Sequence, residues 1–333
     1  MQFIVRAWYE NKRWVAILSP LAALYSYLAA RRKAQYLSGH KTIWNAPVPV
    51  IIVGNISVGG SGKTPLVIAL VEQLKQAGYK PGIVSRGYGA ATKEFPRLIS
   101  TNDSPTEVGD EPLLLAQRTQ CPVVIDPNRV GAAQYILAKC DCDVLISDDG
   151  MQHYALGRDI EIAVVDAARG FGNQKCLPAG PLREPVERLE QVDFIVYNGK
   201  VTTNTHQAKT FPMQLVPNQF VSLKDASVVD AVSWTDSKQV QGVAGIGNPA
   251  RFFSTLRTLG FDVEKFPFPD HHRYRAADFS GFSDQPVLMT EKDAVKCDGS
   301  WFNNGWFLRV SAALDEQFTI ELLSKLSKLS VKK

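Results

Sequence analysis

The sequence is short of several things, and each shortage excludes something. Cysteine is sparse and odd in number, five in all at Cys121, Cys140, Cys142, Cys176 and Cys297. The spacing is scattered, so no disulfide framework is implied, and reduced thiols suit the cytoplasm. Cys140 and Cys142 are the only close pair, and no second pair follows to complete a zinc set. Charge of one sign is lacking too: 37 Lys and Arg against 33 Asp and Glu leave a net charge of +4. So mild an excess favours anionic small molecules or lipid, and lies far from the density of a nucleic-acid binder. No nucleic-acid partner is expected, and nothing indicates an obligate protein partner. Internal repeats and low-complexity tracts are missing, and 333 residues suffice for two domains.

Residues 14–30, WVAILSPLAALYSYLAA, carry no charge but fall short of the ~20 apolar residues of a full membrane span. They also contain Pro20. Lys12 and Arg13 precede the stretch, and Arg31, Arg32 and Lys33 follow it. A basic cluster directly after the apolar run argues against a secretory signal. A buried helix of a soluble core is one remaining reading. The other is a helix lying in a membrane interface, with Trp14, Leu18, Leu21, Tyr25 and Leu28 on one stripe and basic flanks at the headgroups. The second reading is the one expected.

Apolar strands alternating with helical spacing follow. VPVIIVGN reads as a buried parallel strand, then come a Gly-rich loop, a helix over 66–76 and a strand over 81–85. Helices are expected over 113–119 and 129–140, and strands at CPVVID, 143–147, IEIAVVDA and VDFIVYNG. This alternation implies a parallel sheet with helices on both faces. Residues 201–210 are polar and Thr-rich and read as a linker, and 211–234 as a less regular segment. A second strand-turn-helix, VQGVAGIGNPARFFSTLRTLG, a strand in PVLMTEKD and a Leu/Lys-spaced final helix complete the chain. The expected fold is α/β: a P-loop NTPase-like parallel sheet, a smaller α/β second domain and an N-terminal membrane-interface helix. The expected boundaries are 1–40 for the helical segment, 41–200 for the P-loop domain and 201–333 for the second domain, whose last helix can return to the first.

GNISVGGSGKTP is the chemical centre. Gly59, Gly60 and Gly62 let the backbone approach phosphates, Lys63 reaches the β- and γ-phosphates, and Thr64 can hold Mg²⁺. The helix that follows adds its dipole. Ser57 stands where the general pattern has its first glycine, and Pro65 lies in the first helical turn, where it is tolerated. The whole loop, Ser57, Val58, Gly59, Gly60, Ser61, Gly62, Lys63, Thr64 and Pro65, is therefore expected to bind nucleotide. DVLISDDG places Asp148 and Asp149 at a strand end, where one of them can hold Mg²⁺. Gln152 and His153 stand at the same corner. Arg86, Arg129 and Arg183 in loops are candidates for phosphate groups. Thr290, Glu291, Lys292 and Asp293 are candidates for the adenine side, with an ordinary strand-to-helix turn as the alternative. Read alone, Asp110 is as easily a helix N-terminal carboxylate as a base.

VGNISVGGSGKTP, VSRGYG, VGDEPLLLA, DDGMQH, LPAGPLREP, AGIGNP, FPDHHRY and LMTEKDAVK occur in one order. Together they resemble the tetraacyldisaccharide 4'-kinases of lipid A biosynthesis, the LpxK family, from the N-terminal helix to about Lys296. In that family the entrance serine and the proline after the threonine belong to the pattern. The resemblance implies transfer of the γ-phosphoryl group of ATP to the 4'-hydroxyl of a tetraacylated glucosamine disaccharide 1-phosphate, giving lipid IV-A. It implies work at the cytoplasmic face of the bacterial inner membrane, with that lipid surface as a partner. It makes Asp110 the catalytic base, assisted by His271, beside Lys63, and Glu111 a further member of the Mg²⁺ shell. Two other readings stay open: a P-loop kinase of a soluble small molecule, and a nucleotide switch without phosphotransfer.

Overall fold

A computed structural model describes residues 2–200 and 208–330. Its helices are α1 (Gln2–Tyr9), α2 (Ser19–Leu37), α3 (Lys63–Gln76), α4 (Pro105–Val108), α5 (Asp110–Thr119), α6 (Arg129–Lys139), α7 (Pro249–Thr258), α8 (Glu291–Ala294) and α9 (Glu316–Ser330). The strands are β1 (Val50–Gly54), β2 (Pro81–Ser85), β3 (Arg97–Leu98), β4 (Val123–Ile125), β5 (Val144–Asp148), β6 (Ile160–Asp166) and β7 (Phe194–Asn198). They continue with β8 (Lys209–Ser222), β9 (Val228–Asp230), β10 (Gln239–Ala244), β11 (Asp262–Pro267), β12 (Val287–Thr290) and β13 (Gly305–Leu314).

One sheet runs through the molecule in the order β11-β10-β12-β13-β8-β7-β6-β1-β5-β2-β4-β3, with β9 paired to β8. Strand β1 lies between β5 and β6, parallel to both. Successive residues of β1 point to opposite faces, and both faces are covered. Ile51 and Val53 pack with α3, α5 and α9. Val50 and Ile52 pack with α6 and Leu182, Leu189 and Val192. Each fully buried aliphatic side chain here stabilises the fold by roughly 1.5–3 kcal/mol. The residues after β8 form their own clusters, one on Phe253 and Val263 and one on Met289 and Phe279. Helix α9 instead sends Phe318, Leu322 and Leu326 into the core of β1 and α3.

The sheet is mixed, not wholly parallel: β8 pairs antiparallel with β13, and β3 and β9 are antiparallel edges. The stretch 211–234 that reads as irregular contains most of β8. Two prolines hide that strand. The register against β13 shifts between Arg309 and Val310, which face Gln219 and Pro217, so Asn218 is the extra residue of a bulge and the proline stands beside it. Of the expected linker, 201–207 lie outside the described residues, and Lys209 and Thr210 already belong to β8.

The N-terminal segment is divided where one helix is expected over 14–30. After α1 a 3₁₀ turn spans Arg13–Leu18, and α2 starts with Pro20 in its first turn. The stripe also differs. Tyr25 turns inward, its hydroxyl donating to the Arg183 carbonyl at 3.1 Å. Trp14, Ile17, Leu21, Leu24, Tyr27 and Leu28 are the exposed set. Arg13–Leu37 is long and apolar enough to cross a bilayer by length and composition, and 11% of its most apolar 18-residue window is buried.

Candidate functional site

The site lies at the carboxyl ends of β5, β1, β6 and β7, where loops from parallel strands converge. The phosphate loop leaves β1 and is fixed from one side by residues 181–183. Val58 N–H donates to the Pro181 carbonyl at 2.8 Å, and Arg183 N–H donates to the Ile56 carbonyl at 2.6 Å. Asn198, at the end of β7, donates to the Ser61 carbonyl at 3.1 Å. Asn55 donates to the Ser61 hydroxyl at 3.2 Å. Gly59 has φ of +103°, which an L side chain rarely adopts. Lys63 opens α3 with Nζ 3.4 Å from Asn55 Oδ1 and 3.6 Å from Asp149 Oδ1. Thr64 and Pro65 complete its first turn.

Asp148 ends β5 beside the loop and is 3% exposed. Burial, with Glu111 and Asp149 adding negative charge, pushes its carboxyl up to about 6. Asp149 adopts φ of +49° and turns to the cations. Burial alone would raise it, but Lys63 and Arg183 outweigh that and hold it at about 2. Arg183 Nη1 lies 2.9 Å from both Asp149 oxygens. Gln152 donates to Glu184 at 2.8 Å and also reaches the Asn55 carbonyl. His153 is held neutral by burial and by Arg129 and Arg86, down to about 4.

A second wall stands opposite. Asp110 is the first residue of α5 and is 6% exposed. His271, from the turn after β11, donates from Nδ1 to its carboxylate. Burial works against ionisation of Asp110, yet His271, Lys292 and Lys296 together bring it below the ordinary carboxylate range. Lys292 Nζ lies 2.7 Å from Glu111, 3.3 Å from Asp270 and 4.0 Å from Asp110. Burial lowers Lys292, and these carboxylates more than reverse it. Glu111 is held below its usual value by Lys292 and Lys63 against burial, so this wall and the phosphate loop share one field. A cavity of about 320 Å³ opens onto the pair, lined by Tyr88, Thr106, Asp110, His271, Arg273 and Lys296 among others.

Arg129 and Asp293 lie deeper than their sequence suggests. Arg129 does not line the cleft: it is 2% exposed, and its guanidinium donates to the carbonyls of Asp126 and Asp148 at 3.1 Å. It braces the Asp148 turn from beneath. Within 290–293, Thr290, Glu291 and Asp293 are buried, and Lys292 stays partly open beside Glu111 and Asp270. Asp293 is fully buried, accepting from Gly245 N–H at 2.9 Å, from Thr290 at 2.6 Å and from Lys296 at 2.7 Å. Glu291 pairs with Arg118 and Arg309. Arg86 is exposed at the end of β2, near Arg129 and His153.

The structure also brings in residues that sequence reading passes over. Arg251 of α7 donates to Asn198 at 2.8 Å and approaches Asp166 at 3.4 Å. Gly247 lies so near the phosphate loop that a Cβ there would stand 3.2 Å from the Gly60 nitrogen. Asp166 and Asn198 were findable, since Asp166 closes β6 beside β1, Asn198 closes β7 one strand further out, and polar residues at such parallel-strand ends tend to serve a ligand. Lys292 stands out in the sequence only as an adenine-side candidate, and Lys296 carries no comparable signal.

A phosphate loop at the carboxyl end of a parallel sheet, faced by a buried Asp–His pair, defines a P-loop phosphotransferase. Residues 14–327 match the family model described as tetraacyldisaccharide-1-P 4'-kinase. The chain is 46% identical over 332 residues to the tetraacyldisaccharide 4'-kinase of Nitrosococcus oceani, with 99% of this chain and 96% of that one covered. It is 48% identical over 312 residues to that of Alkalilimnicola ehrlichii, with 94% and 92% covered. The solved structure of LpxK from Aquifex aeolicus in complex with ATP matches with a TM-score of 0.80 at 30% identity, with 94% of this chain and 99% of that one covered. The chain belongs to the tetraacyldisaccharide 4'-kinase family.

Proposed function

We propose that this protein transfers the γ-phosphoryl group of ATP to the 4'-hydroxyl of tetraacyldisaccharide 1-phosphate, giving lipid IV-A. The observation that carries the reading is the Asp110–His271 pair standing across from Lys63. A nucleotide switch has no use for a buried base aimed into a cavity, whereas transfer to a hydroxyl needs one to take the proton late in a loose transition state. Asp110 orients the hydroxyl and accepts its proton, and His271 fixes the carboxylate and shares the charge. Residues 57–65 hold the phosphates through backbone N–H groups, Lys63 neutralises them, and Arg86 and Arg183 serve the anionic groups at the rim. Residues 41–200 act as the nucleotide domain and 201–333 as the domain that supplies His271 to Asp110.

The residues also fit Mg²⁺. Among the described residues no three acidic, His or Cys side chains converge as a closed metal cage. A kinase Mg²⁺ needs less: one or two carboxylates, a hydroxyl, phosphate oxygens and water. Thr64 with Asp148 or Asp149, and Glu111 nearby, supplies such a set. Burial first, and then repulsion from Glu111 and Asp149, raise Asp148, and a cation would relieve both. When bound, the ion neutralises charge developing on the phosphoryl oxygens.

The exposed face of Ile17, Leu21, Leu24 and Leu28, close to Arg31, Arg32 and Lys33, supports attachment to the cytoplasmic surface of the inner membrane. The acceptor is drawn from that surface. Purified protein with Mg-ATP, detergent and lipid A disaccharide 1-phosphate tests the whole reading. A 4'-phosphorylated lipid should form and be lost in Lys63→Ala. ATP hydrolysis with no lipid product would refute it.

A further inference from the structure

The N-terminal segment reaches the phosphate loop directly, and its route ends on a guanidinium. Arg169, in the loop after β6, places Nη1 3.0 Å from where a Cβ on Gly59 would stand. Tyr9, the last residue of α1, backs it, with the ring centroid 4.5 Å from the guanidinium carbon. Asp166 shapes the same loop, accepting from the N–H groups of Ala168 and Arg169 at 3.0 and 3.3 Å. One residue along the phosphate loop, Val58 packs into the cluster of Ala7, Trp8 and Val15. Trp8 Nε1 donates to the Pro178 carbonyl at 3.1 Å, anchoring α1 to the loop that fixes Val58.

The neighbouring cations are already matched. Lys63 approaches Asp149, Arg183 is paired with it, and Arg251 leans on Asp166. Among the described residues, Arg169 pairs with no carboxylate at ion-pair distance. It is a half-buried, planar fork of donors laid on an aromatic face and against a glycine whose lack of Cβ makes the approach possible. Anions seated in the cradle of loop N–H groups would lie within reach of that fork.

We propose that Arg169 is a further ligand of the nucleotide phosphates, and that Tyr9 is the positioning residue that holds it there. The N-terminal segment is thereby part of the ATP site and not only a membrane contact. This rests on the reading of residues 57–65 as the ATP site of a lipid kinase.

The test is steady-state kinetics on the full-length protein in detergent, with Mg-ATP and lipid A disaccharide 1-phosphate, separating kcat from KM for ATP. Arg169→Ala should raise KM for ATP about tenfold or more, a typical cost for one charge-assisted phosphate contact. Arg169→Lys should recover part of this, having charge without the fork. Tyr9→Leu should raise KM for ATP in the same direction and add little once Arg169 is Ala, and Tyr9→Phe should have a smaller effect than Tyr9→Leu because the ring face remains while the hydroxyl's interaction with Arg169 is lost. Unchanged ATP kinetics in Arg169→Ala and Arg169→Lys would overturn the proposal, as would a lowered Tm with unaltered KM. Full additivity of the Tyr9 and Arg169 effects would overturn the positioning role. Failure of the underlying reading looks different: the unmodified protein would form no phosphorylated lipid, while KM for ATP hydrolysis would still report on Arg169.

Discussion

His271 Nδ1 stands 3.0 and 3.1 Å from the two carboxylate oxygens of Asp110, across 161 residues of chain. His271 adopts φ of +59°, in the left-handed region that costs a non-glycine residue about 1 kcal/mol or more. Its backbone N–H donates to Asp270 at 3.1 Å, and His272 N–H closes the turn onto Pro269. A strained turn that delivers one imidazole to one buried carboxylate fits a positioning role. Asp110→Asn should lower kcat by roughly 10²–10⁴-fold, the range of general base catalysis, with KM for ATP little changed. His271→Ala should lower it less, and the double variant should be no worse than Asp110→Asn alone. Single-turnover phosphorylation of the lipid acceptor measures this; full multiplicativity of the two losses would separate the residues.

The same pair sets a pH signature in stability. The hydrogen bond to Asp110 raises His271 above its ordinary value, against the lowering effect of burial. A group whose folded pKa is raised contributes stability that is fully present below its unfolded value of about 6.5 and fades as pH rises through the folded value. Asp110 is shifted down, so its share is present above about 3.9 and is lost only in acid. The Tm difference between the parent and His271→Gln should therefore be largest in mildly acidic buffer and shrink toward alkaline pH. Thermal melts across pH 5 to 9 check this, and a flat difference would disconnect the histidine from the carboxylate.

Much of this was legible because some residues speak locally. β1, β5 and β6 are apolar runs that end at loops, and GKT and DDG mark the strand ends from which chemistry is done. Within 290–293 a Lys and an Asp at a strand end do not reveal the tertiary contacts that turn Asp293 inward onto Gly245 and Lys296. Arg129 is similar: a loop-edge arginine looks free until the turn it braces is in view. β8 stayed hidden behind Pro212 and Pro217, since a long strand with a bulge breaks the period on which the reading depends. The Arg169–Tyr9 stack joins segments that no local pattern connects.

Helix α9 carries a prediction about how the two ends of the chain depend on one another. Phe318 is fully buried against Phe194 at 5.5 Å and Phe211 at 5.4 Å between ring centroids, edge to face. Gln73 of α3 donates to Thr319 at 2.8 Å. The last helix is therefore structural for the phosphate-loop side of the sheet. Phe318→Ala should cost about 3–5 kcal/mol, the range for a buried aromatic reduced to a cavity. Chemical denaturation should show the loss in the transition that also releases nucleotide binding. A variant that unfolds its C-terminal half alone, with ATP binding intact, would mean that α9 is dispensable to the first core.

The exposed apolar face of the N-terminal segment allows a sharper separation of surface from core than the expected stripe did. Ile17 is 80% exposed while Val15, two residues earlier, is 4% exposed. Leu21, Leu24 and Leu28 continue the open side at helical spacing, while Ala22 and Tyr25 face the protein. Charging the open side should weaken lipid attachment without touching the core, because no protein contact is removed there. Ile17→Asp with Leu24→Asp should reduce sedimentation with anionic vesicles about tenfold or more, since each loses ~1.5–3 kcal/mol of apolar burial in the interface. Its Tm in detergent should hold. Val15→Asp should do the opposite, placing a carboxylate in the cluster of Ala7, Trp8 and Val58 that steadies the phosphate loop. It should lower Tm and raise KM for ATP while the lipid-facing side stays intact. If the double variant at 17 and 24 still binds vesicles like the parent, the open face is not the attachment surface.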